Sequence, residues 1–267
     1  MLIIIGERIN ATRKPIREAL ERKDVQFFVE EAKKQEQAGA HFIDVNAGTD
    51  ATSEIENLPW LVEIIQDEVE VPLCFDSANE KALERALKVY KKKGLIINSF
   101  TAEEEKIKAL LPLAKEWNAY IVGLAMGEGG IPQTGEERMK LVDKLLEAVH
   151  LYGIPEERLF IDPLVIPVGT DSTQGKLFLE TLKSIKDKFP EVKTVCGLSN
   201  VSFGLPNRRL LNRTFAVLCL AFGLDAAIID PLDKELMASI YATEVLLGID
   251  EFCMGYLNAF REGKLNL

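Results

Sequence analysis

With 267 residues, 47% of them hydrophobic, 28% charged and 7% aromatic, the chain has an ordinary globular composition, which excludes a disordered, collagen-like or fibrous protein. Asp and Glu number 42 against 32 Lys and Arg, a formal net charge of -10, so the basic surface of a general nucleic-acid binder is not available.

The first apolar run, Leu2–Ile5, is closed at once by Gly6-Glu7-Arg8, too soon for a signal-peptide core. Val25, Phe28, Val29 and Ala32 then follow helical spacing up to a stop at Gly39. A second run, Phe42–Val45, precedes a helix carried by Leu58, Leu61, Val62 and Ile65, with Ser53 and Glu56 at capping-box spacing. Leu73–Phe75 follows, and Leu95–Ile97 comes after Gly94; Thr101 with Glu104 predicts another capped helix start. Tyr120–Leu124, Leu159–Ile161, Thr194–Leu198 and Ala226–Ile229 complete the series, with helix stops at Gly153 and Gly223. Leu211, Phe215, Leu218 and Phe222 mark the helical face before the last run. The longest apolar stretch, Phe215 to Leu224, is about half the ~20 residues a membrane span requires.

Runs rich in Ile, Val and Phe, without polar alternation, suit parallel strands covered on both faces. Eight strand-then-helix units in a chain close to the roughly 250 residues of a (β/α)8 TIM barrel predict one such barrel over 1–267, with no linker dividing it. The competitor is a doubly wound open sheet. It would carry a Gly-rich loop after the first strand, where Gly6-Glu7-Arg8-Ile9-Asn10 has a single glycine. Cys74, Cys196, Cys219 and Cys253 form no CxxC pair, and His41 and His150 are the two histidines, which disfavours a zinc site or a disulfide framework. Buried inert thiols in a reduced, cytoplasmic protein are the expectation.

In a barrel of this class the functional face lies at the carboxyl ends of the strands. There the sequence places Glu7 and Asn10, Asp44 and Asn46, Asp76, Asn98, Met126-Gly127-Glu128, Asp162, Ser199 and Asn200, and Asp230. Asp and Asn also cap helices and make turns, so each alone is ambiguous, and Arg8 beside Glu7 weakens that glutamate further, though neighbours on a strand point to opposite faces. Taken together, carboxylates and carboxamides suit a flat ligand with an amidine-like edge, such as the 2-amino-pyrimidinone of a pterin or guanine. An oxygen-ligated Mg²⁺ or Ca²⁺ site is the minor alternative. No Gly-x-Ser-x-Gly elbow appears, neither histidine is placed as a base, and no strand carries a Schiff-base lysine.

Gly6-Glu7-Arg8-Ile9-Asn10, Asp44-Val45-Asn46-Ala47-Gly48, Leu73-Cys74-Phe75-Asp76-Ser77, Ile97-Asn98-Ser99, Ile161-Asp162-Pro163-Leu164 and Gly197-Leu198-Ser199-Asn200-Val201-Ser202 occur in this order, followed by Asn207-Arg208 and Asn212-Arg213-Thr214-Phe215. This set closely resembles the methyltetrahydrofolate:corrinoid protein methyltransferases and is similar to the folate domain of cobalamin-dependent methionine synthase. The resemblance implies a pterin-binding barrel that moves the N5 methyl group of 5-methyltetrahydrofolate to Co(I) of a corrinoid on a separate protein, or the reverse. It implies that Asp76, Asn98 and Asp162 bind the pterin edge, with Asp44, Gly197 and Ser199 in the same pocket. Asn200 and Asp76 are the implied catalytic residues, Asn200 hydrogen bonding N5. The corrinoid would arrive on its partner, no metal would be bound by this chain, and a homodimer is implied. Dihydropteroate synthase shares the fold, but its Gly-rich, lysine-containing loop is not matched by Asp162-Pro163-Leu164-Val165. A pterin-binding module without catalysis is the other alternative.

Expelling an unprotonated nitrogen is unfavourable, so N5 must gain a proton or a strong hydrogen bond by the transition state. No strand-end residue reads as a dedicated proton donor near neutral pH. The expectation from sequence is therefore a network of Asn200, Asp76 and water.

Overall fold

The computed structural model describes residues 1–266. In chain order the elements are β1 (Ile3–Asn10), α1 (Lys14–Arg22), α2 (Val25–Gln37), β2 (Phe42–Asn46), α3 (Ala51–Gln66), β3 (Leu73–Asp76), α4 (Glu80–Val89), β4 (Leu95–Thr101), α5 (Glu104–Glu116), β5 (Tyr120–Leu124), α6 (Gly135–Leu151), β6 (Leu159–Asp162), α7 (Gln174–Lys188), β7 (Lys193–Gly197), α8 (Arg208–Ala221), β8 (Ala226–Ile229), α9 (Lys234–Leu246) and α10 (Met254–Arg261). The eight strands are parallel and close in sequential order, β8 pairing back onto β1. The predicted barrel is thus the fold, and the open sheet is excluded.

The missing alternation has a direct cause. Each strand packs one set of side chains outward against helices and the other into the barrel. Ile4, Ile43, Phe75, Ile97, Ile121, Ile161, Cys196 and Ala227 join the outer core with the helices. Ile5, Cys74, Ile96, Val122, Phe160, Val195 and Ala226 form a second, inner cluster, with Phe42, Tyr120 and Leu124 packed on it. At roughly 1.5–3 kcal/mol for each large apolar side chain buried, this plug fixes the barrel interior as a solid floor. Lys193 closes the lower end, its Nζ 5.1 Å from the Tyr120 ring centre and 5.5 Å from that of Phe160.

Several local expectations shift. The α3 helix begins earlier than Ser53, because Asp50 accepts from Thr52 N and Ser53 N and is the true cap. Thr101 does not cap α5: β4 runs on to pair Thr101 with Leu124, and the cap position falls to Glu103, which makes no side-chain bond. The full capping box is Thr134 with Glu137, at the start of α6. On α8 the buried residues are Phe215, Ala216, Cys219 and Leu220, while Leu218 is 42% exposed, so the face is rotated from the one read in sequence. Gly39 and Gly223 do follow helix ends with φ of 101° and 96°. Cys74, Cys196 and Cys219 are buried free thiols, and Cys253 is exposed. Among the described residues no helix is long and apolar enough to cross a membrane.

Candidate active site

Two residues beyond each member of the inner apolar layer, with the same inward parity, lies the next layer: Glu7, Asp44, Asp76, Asn98, Leu124, Asp162, Gly197 and Ile228. All eight line one cavity of about 840 Å³ at the carboxyl ends of the strands. Ser199 and Asn200, in the 3-10 turn after β7, line it too. Asp44, Asp76, Asn98, Asp162, Gly197, Ser199 and Asn200, the pterin-site residues expected from sequence, thus line one mouth. The strand-end candidates Met126, Gly127 and Glu128 do not: the chain turns away there into a loop bridged between Gly127 and Gly130.

The structure also sorts the other candidates. Asn10 lines the rim, but its Oδ1 accepts from Thr12 N at 3.0 Å, a turn role. Asp230 binds Arg8 Nη1 at 2.9 Å and accepts from Leu232 N, so it belongs to an ion pair and a turn. Asn46 donates to Asp76 Oδ2 at 2.9 Å and fixes that carboxyl group. Asp162 Oδ1 accepts from Leu164 N at 2.7 Å. Asp44 is fully buried, and its Oδ1 has no hydrogen-bond partner among the described residues. A buried acceptor left without a donor is costly. Among the described residues no three His, Cys, Asp or Glu side chains cluster as a metal site. His41 accepts from Ile4 N at 2.9 Å and His150 pairs with Glu156, both structural roles.

Electrostatics correct one expectation outright. Burial over the apolar floor raises Glu7 and Asp162 each to about 7, and raises Asp76 and, more strongly, Asp44, where the Asp76 charge adds to burial. The mouth therefore does hold carboxyl groups able to carry a proton near neutral pH. Sequence reasoning missed this because it counted residue types without the desolvation that the floor imposes.

It also missed two positioning devices. Arg138 on α6 is fully buried and donates to Pro163 O at 2.8 Å, Leu164 O at 2.9 Å, Pro132 O at 3.3 Å and Gln174 Oε1 at 3.2 Å. It holds the Asp162-Pro163-Leu164 turn, in which Leu164 has φ 71°, and its charge draws the Asp162 pKa down against burial. Arg208 on α8 donates to Ser199 O at 2.7 Å and to Ser202 Oγ at 3.0 Å, and Ser202 Oγ donates to Asn212 Oδ1 at 2.7 Å. The turn carrying Asn200 is thus clamped from α8, which explains physically why Arg208 and Asn212 stand with the other motif residues.

The sequence profile described as pterin binding enzyme matches residues 6–230, from β1 to the end of β8. The chain belongs to the pterin-binding enzyme family. A methylcorrinoid:tetrahydrofolate methyltransferase from Eubacterium limosum is 37% identical over 268 residues, covering 99% of this chain and 98% of that protein. Methionine synthase from Mycobacterium tuberculosis is 28% identical over 241 residues, 85% of this chain but 20% of that longer protein. The 7,8-dihydropteroate synthase of Vibrio fischeri superposes with a TM-score of 0.72 at 15% identity, covering 92% of this chain and 93% of that one. Dihydropteroate synthase from Clostridium difficile, solved in the presence of pteroic acid, gives 0.69 at 17% identity, covering 92% and 96%. At these identities the two structures bear on the fold alone.

In this pterin-binding enzyme Gly197 has a spatial reason to be glycine. A Cβ there would lie 3.0 Å from Asn200 Nδ2, although its φ of -73° suits any residue. Gly197→Ala is expected to fold normally and to push the Asn200 amide by a few tenths of an ångström. Since misplacement by about 1 Å can cost about 10²-fold, turnover should fall by roughly 10-fold with an unchanged melting temperature. Parallel kinetics and thermal melts check this.

Proposed function

We propose that this protein transfers the N5 methyl group between 5-methyltetrahydrofolate and the cobalt of a corrinoid carried by a separate protein, acting in the cytoplasm as a homodimer. The observation that carries the reading is the polar layer itself. Five of its eight residues carry carboxyl or carboxamide groups above a dry floor, and the full-length relative acts on the methylcorrinoid and tetrahydrofolate pair. Asp76, Asn98 and Asp162 take the N–H-rich pyrimidine edge of the pterin, and Asp44 supplies its unpaired Oδ1 on the same side. An ionised carboxylate accepts two parallel N–H bonds from such an edge, and burial strengthens them.

Asn200 sits on the other wall, following β7, with both a donor and an acceptor to offer N5 before and after a proton arrives. Asp76, held by Asn46, completes the network that polarises the ring. Co(I) is a strong nucleophile in its own right, so the chain need not supply one. Its tasks are to hold the pterin, orient the methyl group toward an open mouth and manage one proton. A synthase of the dihydropteroate type is less well supported: the cations of the cavity are Arg8, Arg13, Arg208 and Arg209, with no lysine among the described lining residues.

The test is single-turnover transfer from methyl-labelled methyltetrahydrofolate to cob(I)alamin, followed by its visible spectrum. Methyl transfer dependent on the protein is expected. Tight folate binding without transfer would leave only a binding module.

A further inference from the structure

Of the five carboxyl and carboxamide side chains in this layer, Glu7 alone has no part in holding the pterin edge. Glu7 reaches the cavity through an irregularity in β1, where the pairing with β2 shifts register between Gly6 and Ile9. The shift is pinned by partners on α2 and at the end of β8. Arg8 N donates to Gln35 Oε1 at 3.0 Å, and the Arg8 side chain binds Glu31 at 2.8 Å and Asp230 at 2.9 Å. A Cβ on Gly6 would collide with Gln35, so glycine is needed for this lock. With the Arg8 side chain tied to Glu31 and Asp230, Glu7 keeps the inward parity of Ile3 and Ile5, and its Oε2 accepts from Ser199 Oγ at 3.1 Å.

The closed strand order then locates Glu7 relative to the ligand. Asp76, Asn98 and Asp162 stand on β3, β4 and β6, so the pyrimidine wall is centred near β4 and β5. In an eight-stranded barrel the strands opposite are β8 and β1. Asn200 follows β7, so Glu7 and Asn200 share the wall that faces the other end of the bicyclic ring, where N5 lies. Ser199, adjacent to Asn200 in the chain, bridges to Glu7. The other acids on this wall are already paired, Asp230 with Arg8 and Asp233 with Arg213 at 3.0 Å.

We propose that Glu7 is a catalytic residue: its carboxyl group delivers the proton to N5 of the folate as the N5–methyl bond breaks, and its carboxylate takes that proton back when the reaction runs in reverse. The inference rests on the methyl-transfer reading above. In the forward direction the electron pair of the N5–carbon bond stays on nitrogen, the Co(I) pair forms the new cobalt–carbon bond, and the proton leaves Glu7 for N5. The products are tetrahydrofolate, methylated corrinoid and a Glu7 carboxylate, which is reprotonated from solvent. Ser199 occupies Oε2, leaving Oε1 to carry the proton.

The charges around Glu7 suit a reversible donor. Asp230 at the end of β8 opposes its ionisation, whereas the Ser199 hydroxyl, Arg13 on the β1–α1 loop and Arg208 on α8 favour it. Burial outweighs these and sets the group at about 7, where donor and acceptor forms are both populated.

The test compares wild type with Glu7→Gln, which keeps shape and a hydrogen-bonding oxygen for Ser199 but has no proton to exchange. Single-turnover transfer to cob(I)alamin at saturating methyltetrahydrofolate is followed from pH 5.5 to 8.5, with folate affinity measured by calorimetry. Expected is transfer slowed by ~10²-fold, affinity within ~3-fold of wild type, and loss of the rate decline near pH 7 that the wild type shows. Glu7→Asp should restore that pH dependence with partial rate. A Glu7→Gln rate within ~3-fold of wild type, a retained limb near pH 7, or loss of folate binding would each overturn the assignment. If wild type itself binds folate but transfers no methyl group, the methyl-transfer reading falls and takes this one with it; wild-type transfer with an unaffected Glu7→Gln variant removes Glu7 alone.

Discussion

Asn200→Ala is expected to slow methyl transfer by roughly 10²–10³-fold while weakening pterin affinity by less than about 10-fold. The asymmetry follows from where the side chain sits. Its turn, Leu198–Ser202, is held without it: Arg208 grips the Ser199 carbonyl, and Val168 N donates to Val201 O at 3.0 Å. Removing the amide therefore leaves the cavity shape and the pyrimidine wall in place. On the proposed function what is lost is a partner for N5 whose need grows as the nitrogen gains charge, and an interaction made mainly in the transition state appears in the rate rather than in ground-state binding. Stopped-flow transfer and equilibrium titration on one preparation separate the two. Equal losses in both would make Asn200 a binding residue only.

How much of this site could be read from sequence depends on one rule, that side chains alternate across a strand. Ile3, Ile5 and Glu7, or Ile96 and Asn98, or Phe160 and Asp162, share parity, so once the barrel is accepted the polar layer follows. Asp44, Asp76, Asn98 and Asp162 were legible for that reason. Arg8 beside Glu7 counts against that glutamate until its own partners, Glu31 and Asp230, are seen. What was illegible depends on distant contacts. Arg138 reads as one more charge on α6, in Gly135-Glu136-Glu137-Arg138, and nothing in that spacing says its guanidinium turns inward to carbonyls 25 and 26 residues further on. Desolvation is likewise a property of the assembled floor. No local count of Asp and Glu shows that Glu7 and Asp162 titrate near 7.

Asp162→Asn should exchange function for stability. The carboxyl group is buried above Phe160 and raised from 3.8 to about 7, with Arg138 too weak a counterweight to burial. Between these values the unfolded chain has released its proton and the folded protein has not, so folding takes up a proton. Stability from this group is full below about 4 and is lost as pH rises through 7; at ~1.4 kcal/mol for each pH unit of difference, the loss is on the order of 4 kcal/mol at most. Glu7, Asp44 and Asp76 are raised for the same reason and steepen the trend. The amide introduced by Asp162→Asn cannot ionise and still offers an oxygen to Leu164 N. The variant should therefore melt higher than wild type at pH 8, with a smaller difference at pH 5. Pterin affinity should move the other way. An amide presents an N–H where the ligand edge also presents one, and a mismatched buried pair costs roughly 2–4 kcal/mol, or about 30- to 1,000-fold in affinity. Wild-type affinity should strengthen as pH rises through 7 and Asp162 ionises, whereas the variant's should stay flat across that range. Thermal melts with and without methyltetrahydrofolate at pH 5 and pH 8 read all of these at once. A variant that binds the pterin as tightly as wild type, or that keeps the wild-type slope of stability with pH, would remove Asp162 from the pyrimidine wall, since a carboxylate whose loss changes neither quantity is neither desolvated nor engaged.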